Sequence, residues 1–154
     1  RTPTEIAEEG EGAEQYADEV WDVRPSTPDG MSDAWHGDVW LNPPYGRKEN
    51  PRWGRRVSRA VSQDECDSIT ALIPASTTAD WFHDHYLDGA DVVCLLDTRL
   101  KFVAGGSYAK ARFGNALVHF GCGDPPGRAI VDGMRDGMAA VDGGDGGAVL
   151  EVLR

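Results

Sequence analysis

Lysine is nearly missing from this chain: of its 15 basic residues only Lys48, Lys101 and Lys110 are lysines, and the rest are arginines. No apolar run approaches the roughly 20 residues that a membrane-spanning helix needs, and no signal-peptide pattern opens the sequence. The expected partners therefore do not include a membrane. Cysteine is scarce, and Cys66, Cys94 and Cys122 lie far apart. Without a Cys-x-x-Cys pair they support neither a zinc ribbon nor a disulfide framework, so a reducing, cytoplasmic setting is expected. A phosphate-binding P-loop and a Gly-x-Ser-x-Gly nucleophile elbow are also lacking, which argues against P-loop nucleotide hydrolysis and elbow-type serine hydrolysis.

Acid is abundant. The chain has 26 acidic residues against 15 basic ones and a net charge of -11. An Asp-rich, Lys-poor surface suits a protein kept soluble in very high salt, where screening removes repulsion between carboxylates. The expected source is a halophilic archaeon or its virus; the plainer reading is an ordinary acidic protein. In such salt an acidic surface does not exclude nucleic acid as a partner. A length of 154 residues, 40% apolar content and five tryptophans predict a single globular domain over 1–154. An acidic N-terminal segment (1–17) and a flexible "DGGDGG" stretch (142–147) flank its elements.

"DEVWDV" (18–23) reads as a short strand and "RPSTPDG" as a turn. "DVWL" (38–41) is a short apolar run halted by prolines, as a buried strand would be. "PRWGRRVSRAVSQDE" (51–65) predicts a helix, with Pro51 in its first turn and Trp53, Val57, Ala60 and Val61 on one face. "ITALIPA" (69–75) is a second strand. "STTADWFHDHYLDG" (76–89) predicts a helix between a Ser or Thr cap and Gly89. "DVVCLLDTRLKFV" (91–103) and "FGNALVHFG" (113–121) are further strands, "GRAIVDGMRDGMAAV" (127–141) a glycine-weakened helix, and "AVLEVLR" a last strand. This alternation is an α/β pattern. The first three strands are almost continuously apolar, as parallel strands covered on both faces are. The glycine-rich link "AGGSYAKAR" would let the strand at 113–121 run antiparallel. In such sheets ligands bind beyond the carboxyl ends of strands, which is where Asn42, Pro43, Pro44 and Tyr45 fall.

Those four residues suit one chemistry. The exocyclic amine of adenine is a poor nucleophile, because its lone pair is delocalised into the ring. A site that methylates it should hold the amine hydrogens with acceptors, pushing nitrogen toward a tetrahedral geometry. An Asn side-chain oxygen and the adjacent prolyl carbonyl supply two acceptors, and proline has no N–H to compete. A tyrosine offers a flat face to a base extruded from duplex DNA. Alternatively, Asn42 caps a turn, the prolines end the strand and Tyr45 covers the core.

"NPPY" after an apolar strand resembles the catalytic motif of amino methyltransferases that use S-adenosylmethionine. "DGMSDAWHGDVWLNPPYGR", "ITALIPASTTADWFHDH", "TRLKF" and "RFGNALVHFG", in that order, resemble phage-type DNA adenine-N6 methyltransferases of the Dam-like family. The resemblance covers about residues 29–121. It implies a Rossmann-like S-adenosylmethionine-dependent methyltransferase sheet, mostly parallel with an antiparallel strand. It further implies S-adenosylmethionine as cofactor, double-stranded DNA with a flipped adenine as partner, and Asn42 to Tyr45 as the catalytic residues.

The cofactor half of the family pattern is not found before Asn42. "RTPTEIAEE" resembles the family's opening Thr-Pro segment at Thr2 and Pro3, but the strand ending in an Asp-Pro-Ala-like turn does not follow. "ALVHFGCGDPPGRAIVDGM" (116–134) resembles instead the glycine loop of permuted enzymes of this class. Gly121 and Gly123 would then approach the cofactor.

Basic charge is concentrated just after Tyr45. Arg47, Lys48, Arg52, Arg55, Arg56 and Arg59 are within 13 positions, where an even spread would put about one. They are expected to bind DNA phosphates, with Arg99 and Lys101 of "TRLKF" as a second contact; the plain alternative is a solvated helix face. His83 and His85 invite a metal reading, but on a helix they point roughly 200° apart, so no metal is expected. Rival functions are methylation of protein glutamine or RNA guanine, and a silent nucleic-acid-binding module on the same scaffold.

Overall fold

The computed structural model describes residues 30–104, 106–121, 126–142 and 147–151. In chain order its elements are β1 (Asp38–Leu41), α1 (Glu49–Ser62), β2 (Ser68–Pro74), a π-helix (Phe82–Leu87) and β3 (Val92–Leu95). They continue with β4 (Lys101–Ala104), β5 (Ser107–Lys110), β6 (Asn115–Gly121), α2 (Pro126–Asp142) and β7 (Ala148–Glu151). Five strands make one sheet in the order β1-β2-β6-β3-β7, and β4 and β5 make a separate two-stranded ribbon. The acidic 1–17 segment, the strand expected at 18–23, Thr2, Pro3 and Gly123 lie outside the described residues, as does most of "DGGDGG".

The sheet is α/β in class but not mostly parallel. Among the described residues only β1 and β2 pair in parallel; β6 runs antiparallel between β2 and β3, and β7 runs antiparallel to β3. The expectation rested on unbroken apolar runs, which report burial on both faces rather than strand direction. β2 is such a run, and two separate cores explain it. One core joins Ile69, Ala71 and Ile73 of β2 to Val57 and Ala60 of α1, Phe82 and Tyr86 of the π-helix, and Trp35. The other joins Leu72 to Leu117, Cys94 and Val131, with Met134 and Met138 of α2 packed against it.

Helix α1 starts two residues before the predicted Pro51, and Val57 and Ala60 are buried on the expected face. Gly54 brings it close to the next element: a Cβ there would stand 2.9 Å from His85 Cβ. Of the helix predicted over 76–89, Phe82–Leu87 form a π-helix, which turns Phe82 and Tyr86 into the core. The strand predicted over 91–103 is broken into β3 and β4, and the glycine-rich link folds back as β5. At the entrance to β7 only glycine fits. Gly147 has φ +97, and a Cβ there would sit 1.9 Å from the Leu95 carbonyl oxygen.

Candidate active site at the end of β1

The ladder between β1 and β2 ends at Leu41, opposite Ala71. Pro43 and Pro44 have no N–H with which to continue it. The next carbonyl of β2, that of Leu72, instead accepts from the Tyr45 hydroxyl at 2.8 Å. A side chain thus closes the ladder where two prolines open it, and this ties the turn to the sheet. Pro43 is buried under the turn, Asn42 and Pro44 are exposed, and Tyr45 is half-buried.

The same hydroxyl stands 3.1 Å from Asn42 Oδ1. One hydroxyl proton cannot serve both acceptors at once. If Leu72 keeps it, a half-turn of the Asn42 amide lets the NH2 group donate to the phenol oxygen, and Oδ1 then faces outward. Burial, with a smaller contribution from Tyr86, raises the Tyr45 hydroxyl well above its ordinary pKa, against a lowering hydrogen bond from Asn115. The phenol therefore stays protonated and acts as an anchor, not as a proton acceptor.

Asn115, at the start of β6, completes the arrangement. It is fully buried, its Nδ2 donates to the Ile73 carbonyl at 3.3 Å, and it lies 3.5 Å from the Tyr45 hydroxyl. Its Oδ1 is buried without a partner. Phe102 and Phe113 meet the Tyr45 ring edge-on, with centroids 5.9 and 5.7 Å away. None of these three was singled out from sequence. The available signal for Asn115 was an amide standing at the head of the apolar run "NALVHF".

The basic cluster divides according to helical period. Arg47 and Lys48 are exposed beyond Tyr45, and Arg52, Arg55 and Arg59 are exposed on α1. Arg52 lies 3.6 Å from Glu49, and Arg59 donates to the Met31 carbonyl. Arg56 is turned inward and is only 3% exposed. It makes a two-pronged bond to Glu65 at 2.7 and 2.9 Å, donates to the carbonyls of Gly30 and Asp33, and stacks 3.9 Å over the Trp35 ring. The expectation that Arg56 contacts phosphate is therefore corrected. A buried guanidinium that gives four of its five N–H groups to a carboxylate and two carbonyls is not presented to DNA.

Arg99 and Lys101 are exposed at the ribbon whose Phe102 touches Tyr45. His83 Nε2 is 2.6 Å from the Thr77 carbonyl and His85 Nδ1 is 3.0 Å from Ser58 Oγ, so the two rings serve different partners.

Gly121 does not stand where the permuted-loop reading needs it, and Gly123 lies outside the described residues. Gly121 pairs with Ser68 at the start of β2, whereas Asn115 pairs with Pro74 at its end. At about 3.3 Å per residue, the length of β6 puts Gly121 roughly 20 Å from the Asn42 end of the sheet. Its N–H is also engaged by Asp91 at 2.7 Å.

A strand that stops at two prolines, with the tyrosine after them bonded back to its neighbour strand, can be compared with known proteins. A family model described as DNA N-6-adenine-methyltransferase (Dam) matches residues 25–118, which include β1, Asn42 to Tyr45, α1 and the ribbon. The chain belongs to this family. It is 28% identical over 117 residues to the DNA N-6-adenine-methyltransferase of Escherichia phage T1, covering 75% of this chain and 40% of that relative. The chain thus spans less than half the length of the curated relative. No solved structure matches. Among the described residues no helix is long and apolar enough to cross a membrane.

Proposed function

We propose that the chain carries the acceptor side of an S-adenosylmethionine-dependent DNA adenine-N6 methyltransferase. The observation that carries this reading is the tethering of Asn42 and Tyr45 at the carboxyl end of a buried strand, in a chain of the Dam family. Asn42 Oδ1 and the Pro43 carbonyl hold the two hydrogens of the target amine and turn its lone pair outward. Pro44 fixes the turn, and Tyr45 stacks on a flipped adenine, with Phe102 and Phe113 packed against its ring. The gain in rate comes from alignment rather than from acid–base chemistry, since Tyr45 keeps its proton.

S-adenosylmethionine supplies the methyl group in this reading, but the described residues do not form a cradle for it. Around Asn42 they offer carbonyls, a buried amide and aromatic rings, without the glycine turn and ribose-binding carboxylate that a nucleoside-bearing donor requires. Gly121 is at the wrong end of the sheet. The acceptor side is thus what this part of the chain provides.

The test is methyl transfer from S-adenosylmethionine to duplex DNA, with the product identified as N6-methyladenine after nuclease digestion. Molar KCl suits the excess of acidic residues. Asn42→Ala should abolish transfer and leave the unfolding midpoint unchanged. Full activity in that variant would overturn the reading, while methylated guanine in RNA or methylated glutamine in protein would redirect it to another substrate.

A further inference from the structure

The β4–β5 ribbon carries basic charge without acid, and the sequence marks it by subtraction. From Thr98 to Gly121 the chain has no Asp or Glu, although 26 of its 154 residues are acidic. An even spread would put about four there. The stretch carries Arg99, Lys101, Lys110 and Arg112. All four are exposed, and none makes an ion pair among the described residues. Arg52 pairs with Glu49, Arg56 with Glu65, Arg128 with Asp132, and Arg135 with Asp132 and Asp136. The exposed Arg47, Lys48, Arg55 and Arg59 also make no ion pair among the described residues, so what sets the ribbon apart is the acid-free stretch that carries it.

Ribbon geometry explains how the charges are displayed. Lys101 lies directly opposite Lys110, and Phe102 opposite Ala109. Ala111 N–H bonds the Leu100 carbonyl at 2.8 Å, which extends the pairing by one step. Side chains alternate between faces along a strand. Leu100 and Ala111 are accordingly buried, and Phe102 reaches Tyr45, while the two lysines point to the opposite, open face. Like charges directly opposed across a ribbon are destabilising. In a protein with acid to spare, this pair has been left without any. Phe113 follows Arg112, is 40% exposed, and sits against Tyr45.

We infer that Lys101, Lys110 and Arg112 form a phosphodiester-binding face, with Arg99 beside them and Phe113 as an aromatic neighbour at its inner end, and that this face holds duplex DNA flanking the base presented to Tyr45. Neutralisation by phosphates relieves the repulsion between the two lysines on binding. The inference rests on the methyltransferase reading for the identity of the polymer. It moves the main electrostatic contact from the outer face of α1 to the ribbon.

The experiment is equilibrium binding of a fluorescently labelled 24-base-pair duplex to the full chain across KCl concentrations, with S-adenosylmethionine binding followed separately by calorimetry. Each lost phosphate contact should lower the slope of log K against log salt by about 0.9. The combined Lys101→Gln, Lys110→Gln and Arg112→Gln variant should lose between about two and three in slope, and at least about tenfold in affinity. The combined Arg52→Gln, Arg55→Gln and Arg59→Gln variant should lose less than about one. Thermal unfolding checks that both variants are folded. A ribbon variant with unchanged slope, or an α1 variant that loses more, overturns the assignment and leaves the methyltransferase reading standing. A wild-type chain that binds no duplex DNA overturns both the assignment and the acceptor-side reading it rests on, whatever calorimetry shows for S-adenosylmethionine.

Discussion

Arg56 separates a structural reading of the basic cluster from an electrostatic one. Arg56→Gln removes the two-pronged bond to Glu65, the donors to Gly30 and Asp33, and the cation over Trp35. Glu65 keeps only the Trp35 N–H at 2.7 Å. Breaking a buried ion pair from one side costs about 3–5 kcal/mol. The lower end applies here, about 3 kcal/mol, because the Glu65 side chain is 14% exposed and can recover some hydration. In a domain of this size that lowers the unfolding midpoint by about 6–12 °C. Urea and thermal unfolding followed by tryptophan fluorescence measure it well, since Trp35 lies directly under the guanidinium. The salt slope of DNA binding, taken where the variant is still folded, should not move. An unchanged midpoint together with a lost phosphate contact would refute the reasoning and return Arg56 to the DNA interface.

Tyr45→Phe keeps the stacking ring and removes the tether. It leaves the Leu72 carbonyl without the phenol and should cost about 1–3 kcal/mol in stability. Loosening Asn42 should also slow single-turnover methyl transfer by about 10- to 100-fold. A variant as fast as wild type would show that the hydroxyl positions nothing. A second prediction concerns pH. His119 is buried, with Nδ1 2.7 Å from Thr70 Oγ1. Burial lowers its pKa, against smaller raising effects of Asp91 and Asp38. A folded-state pKa below the unfolded one means that the unfolded chain takes the proton first. Stability is therefore complete above about pH 6.5 and falls as pH drops through the window beneath it. Glu65, held low chiefly by its hydrogen bond from Arg56, adds a loss of the same sign below about pH 4.3. Urea midpoints from pH 7.5 to 5 should fall for wild type and stay flatter for His119→Gln; parallel curves would refute the His119 contribution.

Much of this was legible along the chain because it depends on neighbours in sequence. Two prolines end a ladder wherever they occur, so the end of β1 and the turn at Asn42 to Tyr45 followed from "DVWLNPPY" alone. The face of α1 that holds Val57 and Ala60 followed from the 3.6-residue period. The acid-free stretch from Thr98 to Gly121 was there to be counted, although its meaning depended on the ribbon that pairs Lys101 with Lys110. Pairing across distance was not legible. Apolar content in β2 and β6 fixed burial but not direction, so the antiparallel insertion of β6 appeared only in the sheet. That insertion sets Asn115 beside Tyr45 and puts Gly121 at the far end. Whether a charge serves the fold or the surface was equally hidden. Arg56 differs from Arg55 and Arg59 only in rotation about α1, and what receives it, Glu65 with the loop around Trp35, is brought there by tertiary packing. Local sequence determines where backbone hydrogen bonding must stop and which face is apolar. Only the folded chain decides which distant carbonyl, carboxylate or ring meets the side chains left over.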